Sequence, residues 1–501
     1  MFNLIRNIIG FLWSGADVVR KVLHLLILLF VFSIIVSALS STTPSVPGSA
    51  ALVIHPAGRL VDELAGDPFD RALAELTGEE DPQTLVQDII DGLQGAKDDS
   101  RITSVLLDLS AIPGGGLCKL KRIADALEDF RESGKPVIAT ADYFGQGSYY
   151  LAAHADEIYM HPDGILALSG FGAYLNYYKE ALDKLQIDWN VFRVGTYKSA
   201  IEPYSRNSMS EPDREALSHV IDQLWQRYMD DVETARELEP GTIDAVLVDI
   251  VATVESTDGN LAQIAMDYGF VDGLWTREEI VRRMIQVAGK NGDESPFPAT
   301  TLGEYLAEAE LLNGDGSAEE NIGIVVAAGE ILNGTQPPGV VGGDSTARML
   351  REARKDKSVK AVVLRVDSPG GSSFASEVIR NEVDELREAG KPVVVSMSSI
   401  AASGGYWISM TADRIYATPY TITGSIGIFG MFPTFQRSLS ALGITTDGVG
   451  TTTLSGQLRG DREMSEEAKQ VFQLSINSGN DQFITGVSAH RGMSKDVVDS
   501  I

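Results

Sequence analysis

The chain repeats itself, and that repetition limits its possible folds more than any other feature. The stretch "SVLLDLSAIPGGGLCKLKRIADALEDFRESGKPVIATA" (104–141) runs parallel to "AVVLRVDSPGGSSFASEVIRNEVDELREAGKPVVVSM" (361–397), with Pro113 against Pro369 and Lys135 against Lys391, an offset of 256. "QGSYYLAAHADEIYMHP" (146–162) then matches "SGGYWISMTADRIYATP" (403–419) at an offset of 257, so a single-residue indel separates the two blocks. Each copy reads as an apolar strand, a Pro-Gly-Gly turn, an amphipathic helix and a Gly-Lys-Pro break into another apolar strand. In the second copy the helix stripe is Val378, Ile379, Val383 and Leu386. Near-continuous apolar runs such as Val362 to Leu364 and Val393 to Val395 are what parallel strands covered on both faces require.

The expected fold is therefore α/β, two tandem parallel βαβ domains. The first repeat is placed at 51–290 and the second at 319–501. The Gly/Pro/Asp-rich stretch 291–318 is read as a linker with a connecting helix in "LGEYLAEAELL". The first copy runs about forty residues past "DAVLVDI", whereas the second stops at the matching "DVVDSI", so the second repeat is expected to be cut short at residue 501.

Ahead of the repeats, "VLHLLILLFVFSIIVSAL" (22–39) is an 18-residue apolar run, just long enough to span a bilayer. Arg6, Arg20 and Lys21 precede it and no Lys or Arg follows until Arg59, which places residues 1–21 in the cytoplasm and the body outside it. Val36-Ser37-Ala38 also fits a signal-peptide cleavage site, but the long, partly apolar leader favours a retained anchor, followed by a Ser/Thr/Pro linker over 40–50. The 41 Lys and Arg against 70 Asp and Glu leave a net charge of -29, which argues against nucleic-acid binding. Cys118 is the only cysteine, and no HExxH, P-loop or zinc-type cluster occurs, so no disulfide, metal or cofactor is expected.

"SSIAASGGYWISM" (398–410) raises the question of a serine nucleophile, because Ser403 sits among small residues on a turn. Such a serine needs a proton acceptor and backbone donors for the oxyanion. Of six histidines, His24, His55, His154, His161, His219 and His490, the first lies in the apolar run, His490 alone falls in the second copy with nothing marking it as a base, and His154 and His161 flank "ADEIY" and read as structural, so a histidine triad stays open but without support. A lysine is indicated instead. Lys198, in "GTYKSAIEP", lies 52 residues after Gln146, the position matching Ser403, and 52 residues after Ser403 stands Ser455. One copy holds the serine without the lysine, the other the lysine without the serine. Complementary loss of this kind is expected if the pair forms across the interface between copies.

"LRVDSPGGS", "SEVIR", "GKPVVVSM", "AASGGYWIS", "TGSIGIFG" and "GTYKSAIEP" occur in an order that resembles the S49 serine peptidases, in the long tandem form called signal peptide peptidase A or protease IV. The resemblance runs from the anchor to residue 501. It implies Clp protease/crotonase-like domains, Ser403 as nucleophile and Lys198 as general base. It also implies a bacterial inner-membrane location with a periplasmic body, signal peptides and unfolded apolar polypeptides as substrates, and a homo-oligomer, a tetramer by analogy.

A lysine base must lose its proton, which in water happens near pH 10.4, so burial has to bring Lys198 down toward about 7 with no carboxylate beside it. Ser425 of "TGSIG" is the expected hydroxyl orienting the amine, and Gly370, Gly371 and Gly404 the expected oxyanion-hole residues. Two other classes remain open, an acyl-CoA enzyme of the crotonase type and a catalytically idle membrane scaffold. A cytoplasmic body would favour the first, and absence of labelling at Ser403 by serine-reactive probes the second.

Overall fold

Strands as apolar as those of the two repeats have to be covered on both faces, and the computed structural model shows how each repeat achieves this. It describes residues 20–30, 32–33, 45–78, 81–112, 114–292, 295–313 and 320–500. In the first repeat a parallel sheet runs in the order Gly273–Leu274, Glu157–Ala167, Val137–Gly145, Ile102–Asp108, Ala50–Ile54, Ala299–Thr301. In the second, Asn321–Ala328, Val359–Ser368, Val393–Ala402 and Arg414–Tyr416 follow one another in parallel. Ile422–Gly424 also pairs with the far end of Val393–Ala402. The two copies agree even in this detail, because the long strand Glu157–Ala167 pairs with Val137–Gly145 in two registers, through Glu157 to Met160 and again through Ile165 to Ala167.

The crossover helices fall where the apolar stripes placed them, at Leu117–Arg131 and Ser373–Glu388. Ile123, Leu127 and Phe130 are buried in the first core, and Ile379, Val383 and Leu386 in the second, each against sheet residues that water does not reach. Ser372 caps the second helix through its side chain, accepting from Ala375 N at 3.2 Å.

The segment expected as a linker over 291–318 carries structure of the first repeat. Ala299–Thr301 pairs in parallel with Ala50–Ile54, and Leu302–Asn313 packs back onto the first core, where Tyr305 is buried. Burial of Phe297 and Thr300 outweighs the loop-like composition around them.

At the amino terminus, 20–30 and 32–33 are helical and exposed; residue 31 and residues 34–39 of the expected span, and residues 1–19 before it, lie outside the described residues. Among the described residues, no helix is long and apolar enough to cross a membrane.

Among the contacts that hold the repeats together are an antiparallel ribbon and a buried cluster of charges. Asp188–Arg193 of the first pairs antiparallel with Phe429–Thr434 of the second, and Phe192 packs against Phe472 with ring centroids 5.5 Å apart. Elsewhere Asp62 of the first repeat is almost wholly buried against Arg365 at 3.2 Å, Arg122 at 3.1 Å and the Ser398 hydroxyl at 2.6 Å. Lys119 pairs with Asp367 beside them.

Candidate active site

Ser403 is placed by the end of a strand and the start of a helix. Val393–Ala402 stops, Ser403 takes φ 53° and ψ -116°, and Gly404–Trp407 begins at once. A positive φ at a non-glycine residue costs on the order of 1–3 kcal/mol and persists only where the surroundings enforce it. Here the Ser403 N–H is fixed to the Gly424 carbonyl at 2.8 Å, and the Ser403 carbonyl accepts from Trp407 N at 2.9 Å.

Lys198 arrives from the other repeat. The antiparallel ribbon carries the chain to Arg193, Val194 N continues it by donating to Ile428 O at 3.2 Å, and a turn at Gly195 brings Lys198 back over the second repeat. Gly427 lies beside its stem, on a backbone with φ 154°, where an ideal Cβ would touch Lys198 Cδ at 3.4 Å and crowd the Val194 carbonyl oxygen at 3.2 Å. The Lys198 amine donates to Ser403 Oγ at 2.9 Å, to the Ser425 carbonyl at 2.8 Å and to Ser425 Oγ at 3.1 Å.

The lysine is 6% exposed, and burial pushes its pKa from the usual value down to about 8. No carboxylate opposes the shift: among the described residues none forms an ion pair with this amine, and desolvation alone sets its direction. Its three partners are neutral oxygens, able to hold the ammonium in place without cancelling the cost of burying it.

Around Ser403, Gly371 and Gly404 present backbone N–H groups that have no partner among the described residues. Gly371 faces Ile331 as a parallel bridge partner, with Ile331 N donating to Gly370 O and Ser372 N to Ile331 O. By the alternation of an extended chain, the Gly371 N–H points away from Ile331. An ideal Cβ on Gly404 would stand 3.2 Å from the Gly371 nitrogen.

Gly370, expected with these two as a donor, has its own N–H engaged by Ser368 Oγ at 3.2 Å. What it supplies is space, since a Cβ there would come within 2.6 Å of Gly404 N and 2.9 Å of Ser403 Cβ. Missed at the sequence level were Gly427 and the Ser425 carbonyl. The two glycines of "TGSIG" were the available signal, Gly424 because its backbone takes φ 86° and Gly427 because an ideal Cβ there would stand 3.2 Å from the Val194 carbonyl oxygen.

The amine opens into a cavity of about 490 Å³ lined in part by Leu217, Val220, Ile422, Ile426 and Ile484. No histidine takes part in the hydrogen bonds of Ser403 or Lys198 among the described residues. His154, fully inside the first repeat, is held by Glu128 at 2.7 Å, and burial lowers the pKa of His490 in the helix Glu466–Arg491.

The chain matches the profile described as "Peptidase family S49" over residues 129–291 and 385–501. It is 38% identical over 514 residues to "Protease 4" of Salmonella typhi, covering 100% of this chain and 82% of that one. The figures for "Protease 4" of Haemophilus influenzae are 38% over 504 residues, with 100% and 82% covered. A "Putative signal peptide peptidase SppA" of Enterococcus faecium is 34% identical over 152 residues, 30% of this chain and 44% of its own.

Proposed function

This chain belongs to peptidase family S49 and is a serine protease, and from that premise we propose that its chemistry is carried by two side chains, Ser403 as nucleophile and Lys198 as general base. The observation that carries this reading is the 2.9 Å separation between Lys198 Nζ and Ser403 Oγ inside a seam that lowers the lysine pKa to about 8. With that value roughly one molecule in ten has the neutral amine at pH 7.

The neutral Lys198 accepts the hydroxyl proton as Ser403 Oγ attacks the peptide carbonyl, and the negative oxygen of the tetrahedral intermediate is received by the N–H groups of Gly371 and Gly404. Lys198, now an ammonium, returns the proton to the leaving amine as the C–N bond breaks. Water then attacks the acyl-enzyme with Lys198 again taking a proton, which it hands back to Ser403 Oγ as the acid product departs. Ser425 holds the amine on its path through both of its oxygens.

We assign unfolded, apolar polypeptides as substrates, cleaved signal peptides among them, supported by the aliphatic residues on part of the Lys198 cavity wall, which also carries Asp213, Glu215 and Asp499, and by the name of the Enterococcus relative. Residues 22–39 are proposed as a retained anchor with the body on the outer face of the inner membrane, supported by the apolar run and the basic residues ahead of it. Self-association, as a tetramer by analogy, is supported by the exposed side chains of Leu442, Ile444, Val449, Leu454 and Leu458.

Cleavage of a fluorogenic apolar peptide by Ser403→Ala and Lys198→Ala variants tests the assignment. Each is expected to lose about a thousandfold or more in kcat with an unchanged circular-dichroism spectrum. Wild-type turnover in either would end it.

A further inference from the structure

The glycine turn of the first repeat reaches into the second. Gly116 comes so close that an ideal Cβ on it would fall 2.0 Å from Ser399 Oγ and 2.7 Å from Ser399 Cβ. Ser399 belongs to an irregular stretch of the strand Val393–Ala402. Val366 pairs with Met397 and Ser368 with Ala401, so the single residue Asp367 stands opposite Ser398, Ser399 and Ile400. Bulges bend a strand and re-aim the residues beyond them. The Asp367 carboxylate holds this one, accepting from Ile400 N at 3.1 Å. Ser403 follows Ile400 by three residues, and the residue after Asp367 leads into the turn that carries Gly370 and Gly371.

The same close approach seats Lys119. It stands in the first turn of the helix Leu117–Arg131, is 7% exposed, and its amine donates to Asp367 Oδ2. Its other carboxylate neighbour, Asp62 at 4.0 Å, already faces Arg365 and Arg122. Asp367 has no second cation within ion-pair distance among the described residues. The pair exists only between the copies. Lys119 stands six residues after Pro113, where the second copy has Ala375 after Pro369, and Asp367 stands two before Pro369, where the first copy has Ala111 before Pro113. Each copy holds one half, as with Ser403 and Lys198.

We propose that Lys119 and Asp367 are positioning residues for the protease reaction, through which the first repeat holds the strand of Ser403 and the oxyanion turn of the second in register. This rests on Ser403 and Lys198 as the reacting pair. Lys119 balances the buried charge of Asp367. Asp367 then fixes Ile400 N on one side and, through its place in the chain, the start of the turn on the other. Ser368 passes the constraint on, since its hydroxyl accepts from Gly370 N at 3.2 Å and its carbonyl oxygen lies where a Cβ on Gly405 would meet it at 2.5 Å. Without the lysine the carboxylate is buried and uncompensated, so it turns toward water and releases Ile400 N. The serine oxygen and the oxyanion donors then shift relative to one another, which slows the chemistry while leaving the peptide-binding surface as it was.

Steady-state cleavage of a fluorogenic apolar peptide by the full chain is the test. Lys119→Met keeps the stem and removes the charge, and should lose about 10²-fold in kcat with KM nearly unchanged. Adding Asp367→Asn removes the stranded charge but keeps an oxygen for Ile400 N. The double variant should recover most of the loss, a rescue that mere loss of packing at Lys119 would not show. Where Lys119→Met fails to fold by circular dichroism, Asp367→Asn against Asp367→Ala decides, with the asparagine variant expected to turn over about tenfold faster. Normal kcat in Lys119→Met, no recovery in the double variant, or equal turnover of the two Asp367 variants overturns the proposal. Ser403→Ala and Lys198→Ala, run alongside, keep the two readings apart. Full turnover in either removes the reacting pair itself, whereas their inactivity beside a normal Lys119→Met removes only the positioning role.

Discussion

Lys198 and Ser425 meet twice, the amine donating to the serine carbonyl at 2.8 Å and to its hydroxyl at 3.1 Å. The carbonyl is backbone and survives any substitution, so Ser425→Ala should keep the lysine roughly in place and lose about tenfold in kcat with little change in KM. Ser425 has φ 50°, a conformation hostile to β-branched residues. Ser425→Val should therefore lose far more than Ser425→Ala, and steady-state kinetics on the two variants checks the order.

The pH profile follows from the lysine. Burial lowers its pKa to about 8, and only the neutral amine can take the serine proton. The limb of kcat/KM should rise tenfold per pH unit below about 8 and level off above it, the reverse of a reaction that needs a protonated lysine. A flat profile between pH 6 and pH 8 on a stable enzyme contradicts the assignment.

Gly370→Ala tests space rather than donation. The added methyl meets Gly404 N and Ser403 Cβ on a backbone at φ 101°, so the turn must move. Displacing the Gly371 N–H from the oxyanion should cost about 10²–10³ in kcat, with binding of an uncleaved peptide analogue nearly unchanged.

The seam between the repeats has its own titration. Burial works to raise the Asp62 carboxyl, but Arg365, the Ser398 hydroxyl and Lys119 together hold it below the usual range. Its contribution to stability is present above the unfolded value near 3.9 and is lost as pH falls through the lower folded value. Asp62→Asn should cost about 3–5 kcal/mol at pH 7, because it leaves buried cations short of a partner, and should blunt the loss of stability below pH 4. Urea denaturation at the two pH values measures both effects.

Much of the fold was legible because its signals are local and doubled. The apolar runs at Val362 to Leu364 and Val393 to Val395, and the helix stripe between them, each recur in the first copy. Comparing the copies also singled out Ser403 and Lys198, whose reactive atoms the structure sets 2.9 Å apart. The ribbon that brings them together was not legible. Asn190 donates to the Phe432 carbonyl from 242 positions away, and pairing at that separation leaves no periodicity in either segment. Ala299–Thr301 was missed for a related reason, since three residues are too few for an alternation to register. The engagement of the Gly370 N–H depends on the Ser368 rotamer, which no residue pattern encodes.

The antiparallel ribbon between Asp188–Arg193 and Phe429–Thr434 also sets when the enzyme can first act. A ribosome emits the amine-bearing arm first, the Ser403 hydroxyl next and the receiving strand last, so the amine meets the hydroxyl only when that strand closes. On the proposed assignment a half-made chain has no competent pair, and the protease stays inert toward its own nascent neighbours until synthesis has passed the second strand.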